Sequence, residues 1–150
     1  MRRLLVVSTL ALAAPAAALA QDSLTKQEII DQSGAICRDL KEDALPLARR
    51  FSQAETRRGA IRRGRRLIRT ARPYVRDLAD LKPDAGRRYD RFVNKSWTAL
   101  DWLDEALDAL EARRFGLAER RAENVGDAAA RARRAAERYG LRRSCIRFVS

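Results

Sequence analysis

The chain contains no histidine, and its single methionine is the first residue. Those two absences exclude haem ligation by either residue, His-containing zinc sites and every mechanism that relies on an imidazole base. They also exclude the Glu-x-x-His pairs of di-iron helical bundles. The seven glycines stand singly, so no glycine-rich loop can cradle a phosphate. There is no strand-like alternation, no repeat of fixed period and no low-complexity linker. No cofactor and no metal is expected. Cysteine occurs only as Cys37 and Cys145, neither within a C-x-x-C.

The remaining pattern is helical. Between Asp84 and Arg114, Tyr89, Phe92, Ala99, Leu100, Leu103, Ala106, Leu107 and Leu110 recur at three- and four-residue spacing. One apolar stripe therefore runs along this helix, with Ser96 in a single polar slot, and other helices must cover it. Upstream, Thr25 and Glu28 form a capping box and Leu24 with Ile29 a hydrophobic staple, which starts a first helix. Pro46 lies inside that helix, and its missing N–H predicts a kink or short break near Asp43. Ser52-Gln53-Ala54-Glu55 repeats the capping pattern and predicts the turn into a second helix. Ile61, Gly64, Ile68, Ala71, Val75 and Leu78 form the inward side of that helix, and Pro73 predicts a kink or restart. Lys82-Pro83-Asp84 ends it, and Phe115-Gly116 marks the next turn. A fourth helix places Ala118, Ala122, Val125, Ala129, Ala132, Ala136 and Tyr139 inward and ends at Gly140 in the left-handed conformation. Arg142 to Ser150 is expected as a short tail.

These elements predict an all-α, antiparallel up-down-up-down four-helix bundle over residues 21–150. Residues 1–20 read as a cleaved signal peptide: Met1-Arg2-Arg3, an apolar run from Leu4 to Ala14, Pro15, and Ala18-Leu19-Ala20 at the cleavage point. The apolar run is shorter than the ~20 residues that span a bilayer, and no transmembrane segment is expected after cleavage. Expected localisation is therefore secreted or periplasmic. In an exported chain two cysteines predict one structural disulfide, Cys37–Cys145. Extended chain from Gly140 would bring Cys145 back up to Cys37 without bending either helix.

Charge is the other dominant feature. Lys and Arg outnumber Asp and Glu by 32 to 20, a net +12 that becomes +10 without Arg2 and Arg3. On the second helix Arg58, Arg62, Arg65, Arg69, Arg72 and Arg76 fall within an arc of about 80°, opposite its apolar side. Guanidinium groups in such a row suit bidentate contacts to phosphates or carboxylates along a polymer. The competing reading is internal: Asp101, Asp104, Glu105, Asp108 and Glu111 lie on one flank of the third helix and could pair with part of the row. Trp97 and Trp102 sit at the edges of the third-helix stripe, as boundary packing.

Three segments resemble a group of small exported proteins of GC-rich, mostly actinobacterial, genomes. They are Ile36-Cys37, Leu81-Lys82-Pro83 and Tyr139-Gly140-Leu141-Arg142-Arg143-Ser144-Cys145. That group has no assigned activity, so the resemblance implies export, helices and one disulfide, and assigns no functional residue. The expected function is non-enzymatic: binding of an anionic envelope polymer, an anionic lipid surface or an acidic protein through the arginine row. Nucleic acid would bind such a face only non-specifically. The alternative is a structural or partner-binding bundle whose charge is merely solvated. A remote third reading, by fold analogy, is an exported chorismate mutase-like enzyme, which would require arginines in the core.

Overall fold

Thr25 caps the first helix: its hydroxyl accepts from the Glu28 N–H, and the Glu28 carboxylate accepts from the Thr25 N–H. In the computed structural model, which describes residues 24–81 and 86–148, five helices follow one another. They are α1 (Lys26–Ser52), α2 (Arg57–Asp80), α3 (Gly86–Glu111), α4 (Phe115–Tyr139) and a short α5 (Arg143–Phe148). The segment read as a signal peptide and the Lys82-Pro83-Asp84 turn lie outside the described residues. No described helix is long and apolar enough to cross a membrane.

The first four helices are antiparallel in sequence order, as the up-down-up-down reading requires. Side-chain bonds fix the register. Tyr74 near the end of α2 donates to Asp43 of α1, and Arg72 reaches Asp104 of α3. Arg121 of α4 in turn meets Glu105 of α3. At Gly64 the backbone of α2 comes close to its neighbours: a Cβ there would stand 2.8 Å from the Leu107 methyls and 3.1 Å from the Phe51 ring.

Several boundaries differ from expectation, each for a local reason. Of the two outcomes expected at each proline, the break at Pro46 and the restart at Pro73 do not occur: α1 and α2 continue through them, because packing of their buried faces outweighs one lost backbone bond in each. The cap of α2 is Thr56, whose hydroxyl accepts from the Gly59 N–H. Ser52 instead donates to the Arg49 carbonyl within α1. Phe115 opens α4 rather than marking a turn; the turn is Ala112–Arg114, with Arg113 at φ 58°. The expected extended tail is a short helix, α5.

The C-terminal end of α4 matches its sequence. Gly140 has φ 94°, and both its N–H and that of Leu141 donate to the Ala136 carbonyl, while Leu141 is buried. The chain then reverses into α5, and Cys145 bonds Cys37 of α1 with their Cα atoms 5.0 Å apart. Around this disulfide lies the dense part of the core, with Ile29, Val75, Leu78, Tyr89, Ala136 and Tyr139. Ser33 is the buried polar side chain among the described residues. Its hydroxyl bonds Tyr89 Oη at 3.0 Å, and Tyr89 donates to the Leu78 carbonyl at 2.8 Å. Three helices are thereby joined by one short polar chain.

The opposite half is not closed. α1 packs on α2, α2 on α3 and α3 on α4, whereas the backbones of α1 and α4 do not approach closely; α5 bridges the two, and Lys26 of α1 lies over the Tyr139 ring of α4 at 5.4 Å. Ala122, Val125 and Ala129, expected inward, are therefore exposed or half-buried. Their stripe is apolar as the sequence reads, but no helix lies over it.

Candidate functional site

The arginine row is divided by what faces it. Arg65 is held between Asp108, at 3.0 Å, and Glu111 of α3. Arg72 lies 2.9 Å from Asp104. Glu105 turns the other way, toward Arg121 of α4, whose guanidinium also stacks over the Trp102 ring at 4.5 Å. Asp101 remains exposed. The internal-pairing reading thus accounts for two arginines of the row. Arg58, Arg62, Arg69 and Arg76 are exposed, and none has a carboxylate partner among the described residues. Arg58, Arg62, Arg65 and Arg69, with Ile61 and Glu111, line an open depression of about 330 Å³.

The helical spacing explains the division. Arg65 and Arg72 are half-buried on the side of α2 that leans toward α3, while the other four point to solvent. Surface pairs of this kind contribute little stability, roughly 0–1 kcal/mol each. Two further arginines serve helix ends. Arg57 donates to the Leu110 and Glu111 carbonyls that terminate α3, and Arg63 to the Arg50 and Gln53 carbonyls at the end of α1. A cation there answers orphan carbonyls and the negative end of the helix dipole.

A second basic concavity lies between α3 and α4. Arg88 and Arg91 of α3, with Arg131, Arg134 and Arg138 of α4, line a recess of about 260 Å³ to which no carboxylate contributes. Arg88 also donates to the Arg138 carbonyl. The signal was available as three- and four-residue spacing of arginines on both helices, but the pairing of those helices was needed to bring them together.

No protein-family model, curated protein or solved structure matches the chain. The site must be read from its own chemistry. Trp97 packs against the core around the disulfide, which with the Arg121–Trp102 stack makes both tryptophans boundary residues.

Proposed function

We propose that this protein is a non-enzymatic helical bundle that acts outside the cytoplasm by holding anionic material against its α2 arginines. The observation that supports this is the unanswered charge: Arg58, Arg62, Arg69 and Arg76 are exposed and lack carboxylate partners among the described residues. Like charges at this spacing repel, so an anion laid along them relieves a destabilising term as it binds. An acidic envelope polymer, an anionic lipid surface or an acidic protein supplies repeating anionic groups at the required density. The recess between α3 and α4 adds a second place for such groups.

The test is elution from an immobilised polyanion in a salt gradient. Arg58→Gln, Arg62→Gln, Arg69→Gln and Arg76→Gln combined should bring elution to clearly lower salt than wild type, because fewer counterions are released on binding. Arg65→Gln with Arg72→Gln should shift it much less, since those guanidiniums are already engaged. Identical elution of all three proteins rejects the proposal and favours the purely structural reading, which the Arg65 and Arg72 ion pairs support. The chorismate mutase-like reading asks for core arginines, and no arginine is buried among the described residues.

A further inference from the structure

The unclosed side of the bundle is a cleft with a definite lining. α1 and α4 are its walls, and Leu67, Ala71, Leu100 and Leu103 of α2 and α3 form its floor. One stretch encloses about 520 Å³; a second, of about 460 Å³, continues it toward Phe51 and Phe115. The two share Leu103 and Val125. These volumes lie within the ~300–1,000 Å³ of small-molecule sites, which are mostly apolar with few polar groups.

Exposed apolar residues are not scattered over this molecule. The two large ones among the described residues, Leu45 at 36 % and Phe115 at 61 % exposure, both border the cleft. Its charged groups are ordered as well. Lys41 of α1 and Arg133 of α4 line the stretch nearer the disulfide; no acid lines its wall, and Arg133 also faces Glu137, one turn along α4, at 3.9 Å. The far stretch has a single charged residue in its lining, Glu119. A cation pair at one end and apolar walls along the rest define the occupant. From Lys41 to Phe51 the α1 wall extends about 15 Å, the reach of a medium-length acyl chain.

We propose that the α1–α4 cleft binds a single-chain amphiphile with an anionic head. The acyl chain lies along Leu45, Leu67, Leu103 and Val125, and the head group is held by Lys41 and Arg133. This site is separate from the α2 arginine face and does not depend on it.

Displacement of a dansylated fatty acid from the intact chain tests the proposal. Decanoate, dodecanoate and tetradecanoate should displace it with Kd falling about tenfold for each pair of methylenes, as buried methylenes require. Dodecyl phosphate should match dodecanoate within a few-fold, whereas dodecanol should bind at least tenfold more weakly. Lys41→Glu with Arg133→Glu should weaken dodecanoate at least tenfold and leave dodecanol unchanged. Ala129→Trp, which fills the cleft, should abolish both; the charge variant keeps the test decisive should the tryptophan disturb folding. Equal affinity for dodecanol and dodecanoate overturns the head-group assignment, and a flat chain-length series overturns the cleft. Should Arg58→Gln, Arg62→Gln, Arg69→Gln and Arg76→Gln together remove fatty-acid binding while the cleft variants retain it, the α2 face is the site and this proposal fails.

Discussion

Tyr89 shows how much a single buried residue can join. Fully enclosed, it bonds Ser33 of α1 and the Leu78 carbonyl of α2 from its place on α3. Burial pushes its phenol up to about 12, against an opposing effect of the Ser33 hydrogen bond. Tyr74 also rises to about 12, chiefly because it donates to the Asp43 carboxylate. The sign follows directly. A phenol that keeps its proton longer in the folded state contributes stability that is complete below pH 10 and lost as pH rises toward 12. Thermal unfolding followed from pH 9 to 12 should therefore show a declining midpoint, and Tyr89→Phe should flatten part of that decline. At neutral pH the same substitution should cost about 1–3 kcal/mol, because Ser33 and the Leu78 carbonyl lose a buried partner. A variant as stable as wild type would mean that the polar chain contributes nothing. Sequence reading placed Tyr89 on the buried stripe correctly. The Tyr89 bond to Ser33, 56 positions away, depends on how α1 sits against α3.

At the scale of elements, agreement is best where local chemistry decides the outcome. The Thr25–Glu28 box, the Gly140 ending and the buried face of α2 follow from hydrogen-bond donors, left-handed backbone and 3.6-residue periodicity. Disagreement arises where neighbours decide. Neither Pro46 nor Pro73 ends its helix, and α2 is capped by Thr56 rather than Ser52. The arginine row is visible in full in the sequence, but which members meet carboxylates depends on which side of α2 faces α3. The segment after α4 illustrates a contribution from outside the four long helices. Arg142 bonds Asp31, holding that carboxyl below its ordinary value, and Cys145 closes a loop of 108 residues. Cys37→Ser with Cys145→Ser should lower unfolding free energy by roughly 4–5 kcal/mol in the chain-entropy account. Far-UV circular dichroism should barely change, since α1 to α4 each keep a packed neighbour. Unaltered denaturant midpoints would count against the bridge as a stabilising element.

For the whole molecule, the net charge of +12 sets the response to salt. Charges of one sign repel across the folded surface, and ions at about 0.15 M shorten that repulsion to roughly 8 Å. The melting temperature should rise by a few degrees between very low salt and that concentration. A fall would show instead that pairs such as Arg72–Asp104 outweigh the general repulsion. Composition made this property legible at once. The open side was not legible, because Ala122, Val125 and Ala129 read as core in any closed arrangement. The helices are nevertheless arranged as a simple succession in space, each beside the one synthesised before it. Apart from the packing and covalent tie of α5 on α1, and the few contacts at the disulfide end that skip a helix, the helices pack as consecutive pairs. Such local topology favours rapid collapse hairpin by hairpin. Oxidation of the thiols then falls naturally at the end, when Cys145 emerges and the first and last parts of the chain have already been brought together.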